Sequence, residues 1–141
     1  MNPTSYREVF NATPYERVQL IRAGLTARDA MRILSDLMAN SNALFVAVGV
    51  SKAAIARRAA QGRHLPSGQS ERIIGLAKLV GQVEDLMGDV DDFSASAWLG
   101  DWLIHPLPAL GGQRPSDFIG TMEGQRVVSD LLAQVRSGTY A

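Results

Sequence analysis

No cysteine occurs in this 141-residue chain, which excludes disulfides and thiolate metal sites and is compatible with a cytoplasmic protein. Histidine is nearly as scarce: only His64 and His105 are present, so neither a histidine-built metal centre nor any other cofactor is expected. Long hydrophobic runs are missing too. The longest, Ala43 to Val50, has eight residues, far short of the ~18 that suggest a membrane span. The first residues show neither the basic-then-apolar pattern of a signal peptide nor a lipidation motif. Internal repeats, low-complexity runs and alternating β-branched stretches are all wanting, and period-3.6 stripes run throughout, so the fold class is all-α. Catalysis is not expected. Neither histidine stands in a nucleophile motif, and there is no glycine-rich phosphate loop. Asp89, Asp91 and Asp92 resemble a calcium loop only superficially, because its glycine and terminal glutamate are missing.

The net charge of zero hides a polarised chain. Residues 1–83 carry 11 Lys/Arg against 5 Asp/Glu, whereas residues 84–141 carry 3 against 9. Such asymmetry points to two partners of different electrostatic character, the basic half suiting nucleic acid. The plainer alternative is one acidic linker, since five of the nine acids lie between Glu84 and Asp92.

Local signals divide the chain into helices. Thr13-Pro14-Tyr15-Glu16 has the shape of a capping box, starting a helix that Gly24 ends near Ala23. Thr26 to Asp29 repeats the device before a stripe of Ala30, Ile33, Leu34, Leu37 and Met38. Asn40-Ser41-Asn42 breaks that helix. The segment from Leu44 to Gly62 then reads as a helix, a tight turn at Gly49, an N-cap at Ser51 and a second short helix. A loop is expected from Gly62 to Gly68, then a longer helix capped by Ser67 or Ser70, with a stripe of Ile73, Leu76, Ala77, Val80, Val83 and Met87. Residues 89–94 form an acidic linker and the domain boundary. Ala95 to Leu103 should be helical, placing Trp98 and Trp102 on one face, most simply as core. Pro115 opens a short helix reaching Gly120. Thr121 caps a final helix with Val127, Val128, Leu131, Leu132 and Val135 facing inward, and Gly138 suits a left-handed helix end.

The Gly49, Ser51, Ile55 and Gly62 spacing is that of a helix-turn-helix, with Val50 and Ile55 plugging the angle between its helices. Its second helix and the loop beyond carry Ser51, Lys52, Arg57, Arg58, Arg63 and His64, the footprint of phosphate and base-edge contact. Arg57 and Arg58 cannot both face one groove floor, so one reads bases and the other grips a phosphate. Phe45 stands four residues before the turn glycine, where a small residue is usual and where it needs extra room. An ordinary helical hairpin with a solvated basic face is the bland alternative.

Ser51-Lys-Ala-Ala-Ile55-Ala-Arg57-Arg58 and Ser70-Glu71-Arg72-Ile73, together with Leu110-Gly111-Gly112, the Pro115 helix and the Gly138-Thr139-Tyr140-Ala141 ending, are the motifs that carry a resemblance. From about Thr26 to Ala141 the chain resembles the antitoxins of RES–Xre (MbcA/ParS-type) toxin–antitoxin pairs. The resemblance implies an Xre-like helix-turn-helix domain at 26–88 and a small helical toxin-binding domain at 95–141. With one chain per DNA half-site a homodimer is expected on operator DNA, and residues 1–25, an N-terminal helix without an assigned motif, are candidates for its contact. The partner implied is a RES-domain toxin that consumes NAD. The end of the chain, Arg136, Ser137, Gly138, Thr139, Tyr140 and Ala141, would enter that toxin's active site, with Tyr140 stacking where a flat ring binds and a carboxylate in an anion subsite. Arg114 replaces a frequent threonine before Pro115 and removes a capping hydroxyl. Two alternatives stay open from the residues alone: a stand-alone transcriptional regulator, and a helical adaptor that does not bind DNA.

Overall fold

In a computed structural model, which describes residues 5–37, 42–88 and 90–137, the chain is all-α. Eight helices follow in order: α1 Tyr6–Asn11, α2 Pro14–Ala23, α3 Ala27–Asp36, α4 Asn42–Val48, α5 Lys52–Ala60, α6 Ser67–Met87, α7 Ala95–Leu103 and α8 Met122–Ser137. Short 3-10 turns at Pro108–Leu110 and Pro115–Asp117 join the last two. Met38, Asn40, Ser41 and Asp89 lie outside the described residues.

Most helix starts are written locally. Thr13 Oγ1 accepts the Glu16 N–H at 3.1 Å, and the Glu16 carboxylate accepts the Thr13 N–H at 2.9 Å. Those bonds hold the Glu16 carboxyl below its usual range. Thr26, Ser51, Ser94 and Thr121 each accept one N–H in the same way. The long helix departs from expectation. Pro66, not Ser67 or Ser70, is its N-cap, and no side chain caps it. Ser70 is fully buried instead, its hydroxyl accepting the Leu25 N–H at 2.9 Å and lying 3.3 Å from the Leu65 carbonyl. A serine in the first helical turn had two uses open to it, and the nearby α2–α3 loop, with a buried N–H to satisfy, took this one.

Helix α6 is the axis of the molecule, with ten buried positions, and α1, α2, α3, α7 and α8 all pack on it. Helix α1, started by Ser5, whose hydroxyl accepts the Glu8 N–H at 3.1 Å, crosses it at Gly81. A side chain there would overlap the Tyr6 carbonyl and sit 2.8 Å from the Phe10 Cβ. Arg17 closes the far end of α1 by donating to the Val9, Phe10 and Ala12 carbonyls. Arg7 reaches the Glu84 carbonyl at 2.8 Å, and the Tyr6 hydroxyl donates to Asp36. Burial, reinforced by that carboxylate, pushes the Tyr6 hydroxyl far above its ordinary pKa. Tyr6→Phe should therefore cost about 1–2 kcal/mol, the scale of a part-buried hydrogen bond to a charged group. Urea unfolding followed by circular dichroism measures it, and an unchanged midpoint would remove this bond from the account of how α1 is held.

Helix α8 is clipped to α6 twice. Gln82 donates to the Ser129 carbonyl at 3.0 Å and accepts from its hydroxyl at 2.8 Å, while Gln125 donates to the Arg72 and Ile119 carbonyls. Val128, Leu131 and Leu132 face inward as expected, but Val127 is 39% exposed. The reason is rotational. At roughly 100° per residue, Val127 falls outside the buried set Val128, Leu131 and Leu132, beyond its Leu131 edge and on the side away from the glutamine clips. Met87 is likewise 46% exposed, although Val83 one turn earlier is buried.

Candidate functional site

Two surfaces carry the residues singled out by the sequence. The first is built on α4, the Gly49–Val50 turn and α5. Gly49 has φ of +73°, a conformation that L side chains rarely adopt, so glycine is required where the chain reverses. Its N–H and that of Val50 both return to the Phe45 carbonyl. Arg72, from α6, donates its Nε–H to the Val48 carbonyl at 2.9 Å, closing the last turn of α4 with a cation where the helix dipole is negative. Val50 and Ile55 are buried and fill the angle between the helices. Phe45 is accommodated in the same core, 8% exposed. The Pro115–Asp117 turn packs on α4 from behind.

The basic residues divide on this frame. Lys52, Arg57 and Arg63 are exposed, as is Ser51, whose hydroxyl caps α5 by accepting the Ala54 N–H at 3.0 Å. At roughly 100° per residue, Arg57 lies on the outer side of α5, flanking Ala53, Ala56 and Ala60, all of them exposed. Arg58 turns away. It is half-buried, and its guanidinium donates to the His64 carbonyl at 3.0 Å. His64 Nδ1 lies 2.7 Å from the Gly24 carbonyl, and Ala27 and Leu65 add backbone bonds to Arg63 and Leu25. Arg58 and His64 thus strap the α5–α6 loop to the α2–α3 loop, which spacing alone does not reveal. Arg72 is the residue that sequence reasoning passed over here. Its only signal was its place in the Ser-Glu-Arg-Ile motif.

The second surface lies on the C-terminal half of α6, α7 and α8. Trp98 and Trp102 stack with centroids 5.9 Å apart and planes 14° from parallel, half-buried against the core. His105 lies on the surface, its Nδ1 2.6 Å from the Asp101 carbonyl. The Arg114 N–H donates to the Asp117 carboxylate at 3.1 Å, so a carboxylate from within the turn replaces the missing hydroxyl cap. Arg136 and Ser137 end α8, while Gly138, Thr139, Tyr140 and Ala141 lie outside the described residues. No cluster of side chains able to hold a metal ion occurs among the described residues, and no helix is long and apolar enough to cross a membrane.

A cleft of about 340 Å³ between α2, α6 and α8 brings Arg17, Lys78 and Arg126 beside Glu71 and Glu123. Burial, with help from the two arginines, lowers the Lys78 pKa. Its charges largely offset one another.

Residues 82–138 match the antitoxin Xre/MbcA/ParS C-terminal toxin-binding domain. Over 142 aligned residues the chain is 43% identical to the Prs ADP-ribosylating antitoxin of Sphingobium sp. (strain YBL2), a similarity that covers 99% of this chain and 89% of that relative. The matched domain takes in the last turns of α6, both tryptophans and the whole of α8, the elements of the second surface. Likeness of this extent, running through both halves of the molecule, places the chain in the Xre/MbcA/ParS family of antitoxins, as the non-enzymatic, toxin-binding member of a toxin–antitoxin pair.

Proposed function

We propose that this antitoxin neutralises a RES-domain, NAD-consuming toxin in the cytoplasm by filling its active site with the segment Arg136–Ala141. The same chain, as a homodimer, represses its own operon through residues 26–88, while 95–141 form the toxin-binding unit and 89–94 the linker. One observation carries the toxin half: the toxin-binding match, residues 82–138, takes in the whole of α8, a helix clipped to α6 at two places whose last residues, Arg136 and Ser137, begin that segment. The relative's name couples an antitoxin with ADP-ribosylation of Prs. ADP-ribosyl transfer takes its group from NAD, so that name supports an NAD-consuming partner. Deleting Thr139–Ala141 should abolish inhibition of the toxin's NAD consumption. Inhibition that survives the deletion rules out the plug.

The DNA half is supported by a serine-capped α5 whose outer side offers Arg57 and Lys52 to a groove, while Arg58 is occupied within the fold. Arg57→Ala should weaken binding to the DNA upstream of the gene and reduce the salt slope by about 1. Arg58→Ala should instead lower the melting temperature, with the weaker loss of binding. Gel shifts at several salt concentrations measure the binding, and thermal melts the stability. Wild-type binding and salt slope in Arg57→Ala would remove α5 from the DNA interface.

A further inference from the structure

Beside the end of α8 lies an apolar groove of about 450 Å³, lined by Val83, Leu86 and Met87 of α6, Trp98 of α7, and Leu132 and Val135 of α8. Val83 and Leu132 are buried and form its floor. Leu86, Trp98 and Val135 are half-buried walls, and Met87 stands 46% exposed at the rim. The wall is rigid, because the Trp98 ring is stacked on Trp102. Exposed acids follow closely along the chain, Asp85 within α6 and Asp91 and Asp92 in the connector. An apolar centre with a polar rim is the anatomy of a protein interface, and the five acids without a Lys or Arg over residues 84–92, the stretch that holds Leu86 and Met87, suit a partner with basic groups.

Two further observations say what covers it. All six lining residues fall inside the matched toxin-binding domain, 82–138. The second is a matter of area. A stable interface buries roughly 800 Å² on each partner. A six-residue plug with a single aromatic ring covers on the order of a few hundred Å². Most of the contact must therefore lie elsewhere in the matched domain, and this groove is an apolar surface of that domain lined in part by Val135, the residue before the plug segment.

We propose that the groove seats an apolar anchor of the toxin, a side chain or short helix flanked by Lys or Arg, and that it supplies affinity while the plug supplies inhibition. This rests on the reading that Arg136–Ala141 enters the toxin, and the two fail separately. The probe is the toxin encoded beside this chain, in catalytically inactive form for binding and active form for NAD consumption. Full-length Met87→Asp and Val135→Asp are compared with the Thr139–Ala141 deletion by calorimetric titration. The groove variants should bind the toxin about tenfold or more weakly, the scale of one anchor residue, with unchanged DNA binding and, for Met87→Asp at the exposed rim, an unchanged melting temperature. The deletion should keep most of the affinity yet lose inhibition. Wild-type toxin affinity in both groove variants overturns the proposal. So does loss of self-association with toxin affinity intact, which would make the groove a contact between two copies of this chain. A deletion that still inhibits fails the plug alone, and the groove then stands on its own variants.

Discussion

Gly100→Val is expected to destabilise the protein by about 3 kcal/mol or more, the upper end of the range for overpacking a core. Gly100 is buried in the middle of α7, where the helix runs against the end of α3, and a Cβ there would overlap the Leu37 carbonyl oxygen. Two effects oppose each other. Glycine within a helix costs about 1 kcal/mol relative to alanine, so any other residue gains on propensity. The opposing atom, however, is the backbone carbonyl of the α3 C-cap and has no rotamer through which to move aside. The clash wins, even for Gly100→Ala. Gly75→Ala is the informative contrast, since a Cβ there meets only the Gln125 side chain. That amide can swing out, losing its bonds to the Arg72 and Ile119 carbonyls while α6 gains propensity. The net change should stay within about 1 kcal/mol. Thermal melts of the three variants test the ordering. A Gly100→Ala protein as stable as Gly75→Ala would contradict the close approach of α7 to α3.

Ile55→Ala carries the second large effect, about 2–5 kcal/mol. Ile55 has no exposed surface and sits in the angle between α4 and α5, where α3 also packs. Removing its outer carbons leaves a cavity whose walls are held by the Ser51 cap and the Gly49 turn, so little of it can collapse. Against a total stability of about 5–15 kcal/mol, that is a substantial fraction. Ala56→Ser, one residue along on the exposed side of α5, should change stability by no more than about 0.5 kcal/mol. Chemical unfolding of both reports the difference. The proposed DNA binding should, in Ile55→Ala, return on cooling below the lowered melting temperature, because the variant loses stability and no contact group. A permanent loss with the fold intact would assign Ile55 a direct role in recognition.

How far the sequence reached depended on the range of the interaction. Thr13, Thr26, Ser51, Ser94 and Thr121 all cap helices by accepting an N–H three residues on. Such a bond closes within one turn, so residue type and spacing suffice to find it. Ala95 to Leu103 is helical over the expected span, and the buried stripe of α3 is the one its period marks. Helix α1 has the same local cap, Ser5 accepting the Glu8 N–H, but its docking on α6 was not legible. With six residues and one fully buried side chain, Val9, it is too short to show a period, and its partner Gly81 lies seventy-odd residues away. Ser70 was legible as a serine near a helix start but not as the partner of Leu25, because the competing N–H comes from another loop.

The same line runs through the two surfaces. By itself the sequence determined the all-α class, the order of helices, the turn at Gly49 and the antitoxin resemblance, since each rests on neighbours within a few turns or on motifs read in order. Only the tertiary structure decided that Arg57 faces outward while Arg58 and His64 bind carbonyls, that α1 lies on α6, and that Val83, Trp98 and Leu132 meet around one groove. Those outcomes depend on which segments come together across the chain, where close packing admits one arrangement and leaves no periodic mark in the sequence.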